Sequence, residues 1–355
     1  MNMAFAPSSV TVSAVDLSCS GERDRVDEFI AEMPGNLPFH RPAWLLAVAE
    51  GSGQAARGLI AEKNGMITGW LPLSEVHSAL FGRALVSSGF AVGGGVLAER
   101  DTIARILCEA AQELAGRYSC STIELRGGYL PEGWHVTSDS HANFARPLAG
   151  DDEAQLLDIP RKQRAEVRKG LREDLDIAIG SAEDDRGAHY AVYAESVRNL
   201  GTPVFPRSLF DAVMDRFGAD ADILTLRHQG QPVASVLSLY HQGRVMPYWG
   251  GGTWAARRLR ANDRMYYELM CHARKRGCNL FDFGRSKTES GPYFFKKNWG
   301  FEPETMSYAS WTAPGQAARD INPASDSYSR KIEMWKRLPL GLANRLGPVI
   351  AKGLA

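Results

Sequence analysis

Apolar and polar positions along the chain fall into two series of the same elements. In RGLIAEKNGMITGWLPL, two apolar runs flank Asn64-Gly65, a pair suited to a two-residue hairpin turn because both residues tolerate positive φ. DILTLRHQGQPVASVLSLY repeats the arrangement around Gln229-Gly230. Each hairpin leads into another apolar run and then a glycine triplet, Gly93–Gly95 in the first series and Gly250–Gly252 in the second. A 3.6-residue period follows each triplet. Ile103, Ile106, Leu107 and Ala110 share one helix face behind a capping Asp101, and Gly116 is expected to break that helix. Met265, Tyr266, Leu269, Met270 and Ala273 do the same behind Asn262 or Asp263 as cap; Lys275 and Arg276 suit the helix dipole and Gly277 the stop. Cys120 and Cys278 then sit at nearly equal distances past their triplets, each just ahead of a further strand. In the later strand Phe281 and Phe283 point one way, Leu280 and Asp282 the other. Hairpin, strand, glycine turn, helix, strand, given twice, predicts a duplicated α/β (α+β) unit.

Between the halves, the acidic, small residues Ala149–Glu153 read as a boundary, dividing residues 1–150 from 151–318, with 319–355 as a tail. After Pro160 a helix is expected in which Arg161, Lys162, Arg164, Arg168, Lys169 and Arg172 face only Glu166 before Glu173-Asp174. YAVYAESVRNLGTPVFPRSLFDAVMDRFG gives a helix, a Gly-Pro loop and another helix. In the tail, Trp335, Leu338, Leu342, Leu346 and Val349 recur at helical spacing, and Arg330, Lys331, Lys336, Arg337, Arg345 and Lys352 oppose the single acid Glu333. A basic amphipathic helix of this kind suits peripheral contact with an anionic membrane surface. The same pattern suits docking on the first domain, and Pro339, Gly341, Gly347 and Pro348 interrupt any long helix.

At 355 residues the chain is long enough for two cores, and 44% hydrophobic with 23% charged residues is the composition of a globular protein. A formal net charge of zero gives no global pull toward DNA or a membrane, so any such role must come from local patches. Five cysteines without a C-x-x-C pair argue against a disulfide framework or zinc site and for a reducing cytoplasm. The N-terminus lacks the basic and apolar regions of a signal peptide, and no apolar run approaches the roughly 20 residues of a spanning helix. The histidines are scattered without a His-Glu-x-x-His pair, so no metal is expected, and there is no Gly-x-Ser-x-Gly nucleophile turn.

RKQRAEVRKGLRE, RNLGTPVFPRSLF, YWGGG, FDFGRS and YFFKKNWGF, in this order, resemble the Fem-type and cellulose-biosynthesis-type acyltransferases built on the GNAT fold. The pattern is most similar to the FemAB-like proteins of exosortase and PEP-CTERM systems, which accompany exopolysaccharide production. The resemblance covers nearly the whole chain and is strongest from Arg161 to Trp311. It implies tandem GNAT-like domains, the first a scaffold, and transfer of an acetyl, fatty acyl or aminoacyl group to an amine on an envelope or exopolysaccharide precursor, a lipid- or nucleotide-linked glycan. The donor it implies is acyl-coenzyme A or, in the Fem branch, aminoacyl-tRNA with a peptidoglycan precursor as acceptor. No long heptad segment matches the arm of the tRNA-using enzymes. The coenzyme-A signature is also absent, its place being taken by ARRLRAND. A third alternative is a non-catalytic binding protein with two degenerate GNAT domains.

On this resemblance Lys296 is the residue that stabilises the transition state or holds the donor, walled by Phe294, Phe295 and Trp299; a lysine merely lying along an aromatic surface is the plainer reading. Asp282 is a candidate general base. Arg198, Arg207, Tyr248, Trp249, Arg285 and Lys287 are candidates for the acceptor. Gly250, Gly251 and Gly252 permit close backbone approach of the donor, and Arg257, Arg258 and Arg260, ahead of a helix N-terminus, suit its phosphates. Surface, turn and core duties compete with each of these roles. The first half carries only Arg100 and Arg105 after Gly95, and TIELRGGYLPEGW lacks the aromatic–lysine cluster. The chain is placed in the cytoplasm, with possible contact at the inner face of the membrane through its tail.

Overall fold

The computed structural model describes residues 9–78, 81–317 and 332–354, which form two compact units. The first runs to Thr137 and takes back the segment from Ser307; the second runs from Ser138 to Met306 and includes 332–352. Duplicated α/β units, each a mixed sheet with helices, are what the repeated pattern predicts.

In the first unit β1 (Thr11–Ala14), β2 (Ala55–Lys63), β3 (Met66–Ser78) and β4 (Gly82–Ser87) pair antiparallel in that order, after which β6 (Thr122–Arg126) pairs parallel with β4 and β15 (Glu304–Thr312) closes on β6. The short β5 (Leu97–Ala98) pairs with β3. Helices α1 (Ser20–Glu32), α2 (Pro42–Ser52) and α3 (Asp101–Arg117) cover the sheet. The hairpin between β2 and β3 turns at Asn64 (φ 54°) and Gly65 (φ 78°), both left-handed as the sequence requires.

The second unit holds β7 (His135–Asn143), in part, and a six-stranded sheet ordered β8-β13-β12-β11-β10-β9. Its strands are β8 (Ala145–Pro147), β9 (Asp176–Gly180), β10 (Ala221–His228), β11 (Gln231–His241), β12 (Arg244–Gly252) and β13 (Leu280–Asp282). A two-residue strand, β14 (Ser286–Lys287), pairs with β7. The helices are α4 (Asp152–Asp158), α5 (Arg161–Gly170), α6 (Glu183–Leu200), α7 (Arg207–Phe217), α8 (Ala261–Lys275) and α9 (Gly291–Asn298). The central strand β11 is buried from Val233 to Tyr240, so it reads as a nearly unbroken apolar run. Leu224, Val236, Met265, Leu269, Phe281, Phe283 and Trp299 belong to the core around it.

Three boundaries depart from expectation. Helix α8 starts at Ala261, before Asn262 and Asp263, and its cap is Arg260 in left-handed conformation (φ 49°) without a side-chain cap bond. The two proposed caps are occupied elsewhere: Asp263 accepts a 2.5 Å bond from Gln163 on α5, and Asn262 faces a cleft. Asp101 is likewise the first helical residue of α3 rather than its cap, and Gly116 lies inside that helix, which turns out only at Ser119 (φ 54°). The tail forms a helical turn at 332–336 and a helix at Leu340–Ala351. The helix packs against α6 of the second unit, where Gly347 lies so close to Val204 that a Cβ would stand 3.0 Å from the Val204 nitrogen. Arg330 and Lys331 fall outside the described residues.

Candidate functional site

The site arises where two parallel strands separate. Strands β12 and β13 are paired only at Arg244–Leu280 and Val245–Phe281. Beyond that point the Phe283 N–H donates to the Phe144 carbonyl (2.8 Å), away from β12, while β12 runs on to Gly252. On its other edge β12 stays paired with β11, Gly251 opposite Ser235, and the Thr253 N–H donates to Val233 O at 2.8 Å. Antiparallel pairs alternate between bonded and non-bonded, so Gly250 and Gly252 turn their N–H and C=O groups to the open side. A cleft of about 390 Å³ lies there, lined by the three glycines, Ser196, Asn262, Tyr266, Phe283, Phe295 and Lys296, with Leu200 and Trp254 among the residues exposed beside it.

Each glycine of the triplet meets a near neighbour, closest at Gly251 and Gly252. A Cβ on Gly251 would come 2.3 Å from Ser196 Oγ of α6; one on Gly252 would come 2.5 Å from Asn262 Oδ1 and one on Gly250 3.3 Å from the Tyr266 hydroxyl, both on α8. Alternation of side-chain direction sends the middle glycine to α6 and its neighbours to α8. The triplet therefore lets two helices close on one strand from opposite faces, which places their side chains at the cleft.

Lys296 sits on α9, a short helix capped by Ser290, and only 8% of its surface is exposed. Its Nζ donates to the carbonyls of Phe283 (2.8 Å), Gly284 (2.9 Å) and Arg285 (3.0 Å), with the rings of Phe144 and Phe283 at 5.4 and 5.9 Å. Burial pushes the amine down to about 7; Asp282 works in the opposite direction and Arg285 in the same one. The walls expected around it are corrected: Phe294 is 52% exposed and Trp299 is in the core, while Phe144 and Phe283 stand beside the nitrogen and Phe295 lines the cleft. All three ammonium hydrogens are committed to backbone, so the group offers charge to the cleft rather than a free donor.

The other candidates are dispersed. Asp282 is buried, binds Arg244 through Oδ2 (2.6 Å) and accepts the Gly284 N–H on Oδ1 (2.8 Å), and does not line the cleft. Both of its oxygens are thus engaged, and its charge lies beside those of Arg244 and Lys296. Arg198 points to the tail, donating to Lys336 O, and Arg207 heads α7 in ion pairs with Glu183 and Asp211. Trp249 packs on Phe210 with ring centres 4.5 Å apart, and Tyr248 on Trp249. Arg285 contributes its carbonyl to Lys296, and Lys287 is exposed on β14. Arg257 lines the cleft and stacks on Trp254 at 4.3 Å; Arg258 is exposed outside it; Arg260 pairs with Glu166 (2.8 Å) in a neighbouring groove.

Three cleft residues escaped the sequence reading. Tyr266 was assigned to the core face of α8, yet it lines the cleft; its hydroxyl has no hydrogen-bond partner among the described residues, and burial pushes it up to about 12. Asn262 Oδ1 is buried without a partner among the described residues, and Ser196 opposes Gly251. The signal was present in Asn262 and Tyr266, polar atoms one turn apart on an otherwise apolar helix face.

Residues 161–297 match the family model described as an acetyltransferase (GNAT) domain, which includes the cleft. No curated protein is significantly similar to the chain in sequence. Among solved structures, that of FemX is 13% identical, with a TM-score of 0.65, over 80% of this chain and 95% of that one. A tandem GNAT protein from the clavulanic acid biosynthesis pathway is 12% identical (TM-score 0.56; 87% of this chain, all of that one). L-PGS from Bacillus licheniformis is 13% identical (TM-score 0.53; 89% and 96%). At these identities the likeness is one of fold: two GNAT-like units in tandem.

Proposed function

We propose that the chain is an N-acyltransferase of the FemAB-like kind, moving an acyl group from an activated donor to an amine on a cell-envelope or exopolysaccharide precursor. The observation that carries this reading is the open edge of β12 beside a buried lysine, inside a segment that matches the GNAT model. Gly250 and Gly252 present backbone donors and acceptors two residues apart, the spacing with which an extended amide-bearing arm is held as an added strand. The pantetheine arm of acyl-coenzyme A has such amides, and Arg257 at the cleft suits its phosphates. The acceptor nitrogen attacks the acyl carbonyl, the C–N bond forms, the bond to the leaving group breaks, and the nitrogen's proton passes to that group. Tyr266 is the neutral hydroxyl available to protonate it, and Asn262 Oδ1 accepts from the amine. The Lys296 charge, in a low-dielectric surround, favours negative charge on the carbonyl oxygen through its field.

Thermal unfolding with acyl-coenzymes A, aminoacyl-tRNA and nucleotide-linked amino sugars tests the reading. A donor at 100 times its dissociation constant raises stability by about 2.7 kcal/mol. Stabilisation by aminoacyl-tRNA alone would favour the Fem-type alternative, to which the FemX likeness gives a fold precedent. Stabilisation by none, with no acyl incorporation, would leave the binding-only alternative.

A second observation bears on location. In the C-terminal helix the small residues Ala343, Gly347 and Ala351 are buried, while Leu342, Leu346 and Val349 form an exposed stripe (44%, 44% and 74%) near Arg345. Packing alone would bury the large residues, so this stripe supports peripheral contact with an anionic membrane face in the cytoplasm, where a lipid-linked acceptor resides. Co-sedimentation with anionic vesicles, lost in Leu342→Ser/Leu346→Ser, is the expected result; equal sedimentation of both proteins would refute it.

A further inference from the structure

We propose that the exposed cationic face of α5 docks an acidic carrier protein which presents the acyl donor to the cleft as a thioester on a flexible arm. The inference rests on the acyltransfer reading and names the class of donor.

Arg161, Arg164 and Arg168 follow one another at three- and four-residue spacing and so share one face of α5, which Lys162, Lys169 and Arg172 extend. Only Ala165 interrupts the cations along this surface. Among the described residues no ion pair or hydrogen bond engages the side chains of Arg161, Arg168 or Arg172. Glu166, the one acid in the helix, is already held by Lys169 (2.7 Å) and Arg260 (2.8 Å). Apart from Lys169, the cations of the face are therefore uncompensated among the described residues.

It is also fixed relative to the cleft. Gln163 binds Asp263, Glu166 binds Arg260, and Arg264 donates to the carbonyls of Gly170 and Glu173, so α5 is fastened to the start of α8, whose Asn262 and Tyr266 line the cleft. A groove of about 560 Å³ borders both places: it shares Lys162 with the cationic face and Phe295 with the cleft, and Arg260 and Lys297 line it together with Glu166, which Arg260 holds, and Asp263, which Gln163 holds. A phosphate-linked arm entering from α5 thus meets cations before it meets the open edge of β12.

The chemistry favours a protein over a nucleic acid. No aromatic side chain lies on the face for bases to stack upon. Leu157, 54% exposed, stands next to it, its carbonyl bound by Arg164. An exposed leucine among arginines is the make-up of a protein interface. In the reaction the acceptor amine attacks the thioester carbonyl, a C–N bond forms, the C–S bond breaks, and the carrier's sulfur leaves as the thiol with the proton lost by nitrogen.

The test uses the full chain and holo acyl carrier protein as the immobilised probe in surface plasmon resonance, with octanoyl-loaded carrier and octanoyl-coenzyme A as paired donors for turnover. Saturable carrier binding is expected, weakened at least tenfold by Arg161→Glu/Arg168→Glu/Arg172→Glu and by raising salt, with kcat/KM for the loaded carrier falling in parallel and turnover of octanoyl-coenzyme A unchanged. The triple Gln variant should show an intermediate loss, which separates charge from misfolding. No carrier binding, or binding indifferent to the Glu variant, overturns the proposal; so does a duplex RNA probe that binds through these arginines while the carrier is ignored. Carrier binding without any transfer would instead sink the acyltransfer reading and leave the docking face standing.

Discussion

Replacing Lys296 with Met should alter stability by an amount that depends on pH in a defined way. The folded amine titrates at about 7 and the ordinary value is 10.5. Below pH 7 the lysine is charged in both states, and the fold bears the full penalty of burying that charge. Between pH 7 and 10.5 the unfolded chain keeps a proton that the folded chain has shed, so stability climbs with pH. At 1.36 kcal/mol per pKa unit, the climb between pH 6 and 8.5 amounts to about 2 kcal/mol. Met keeps the length of the side chain and removes the titration. It also leaves the Phe283, Gly284 and Arg285 carbonyls without their donor, a loss that does not vary with pH. His189, held neutral with its pKa near 3 by burial, and the buried thiols Cys108 and Cys120, pushed up to about 12 and 11, also make stability depend on pH; being common to both proteins they cancel in the difference. Urea unfolding of wild type and Lys296→Met at pH 6, 7 and 8.5, using the transition the substitution displaces, gives that difference. The Met variant should gain on wild type as pH falls, by about 2 kcal/mol across the range. A difference constant within about 0.5 kcal/mol, the usual error of additive mutational comparisons, would refute the depressed lysine.

Three further outcomes are expected. Gly251→Ala drives a methyl group to within 2.3 Å of Ser196 Oγ and 2.6 Å of its Cβ; thermal or urea unfolding should show a loss of about 1–3 kcal/mol, restored in large part by Ser196→Gly. Tyr266→Phe should leave unfolding unchanged and lower kcat about 100-fold, the range for a lost general acid; an unchanged kcat in a transfer assay removes Tyr266 from the mechanism. Of the five cysteines only Cys19 is exposed, so a thiol-reactive dye should label it first and reach the other four only on unfolding.

The order of elements was legible because it rests on short-range physics. Asn64-Gly65 and Gln229-Gly230 adopt the left-handed turns that their side chains permit, and the rings of Phe281 and Phe283 lie together, 4.9 Å between centres, although β13 itself ends at Asp282. What the sequence did not reveal depends on partners far along the chain. Asn262 and Asp263 have the right chemistry for a helix cap, but a glutamine 100 residues away claims Asp263. Arg198 and Arg207 stand in a motif, yet Arg198 is bound by the tail and Arg207 by Glu183 and Asp211. Lys296 was singled out for its aromatic neighbours in sequence, whereas the rings at its nitrogen include Phe144, which no local pattern links to it. A hydrogen-bond census needs three dimensions; a turn needs two residues.

The two glycine triplets show why one unit carries the cleft and its likeness does not. In the first unit Gly95 packs so tightly on Gly127 that a Cβ would lie 1.9 Å from the Gly127 carbonyl oxygen, and Val96 bridges to Gly128. Ahead of them the parallel ladder of β4 and β6 runs through three residue pairs, then Arg126 is bound through its N–H by Ser87 Oγ and through its guanidinium to Ala91 O. The strands are thus stitched together where their counterparts in the second unit part. In the second unit the ladder stops after two pairs, and the triplet is spent on admitting α6 and α8. The same three-residue word closes one sheet against a loop and opens the other to helices, because what glycine supplies is close approach, and the neighbour that approaches decides whether a polar edge is satisfied or left for a ligand. The half-buried edge at Gly250 and Gly252 is thus left available to an extended partner.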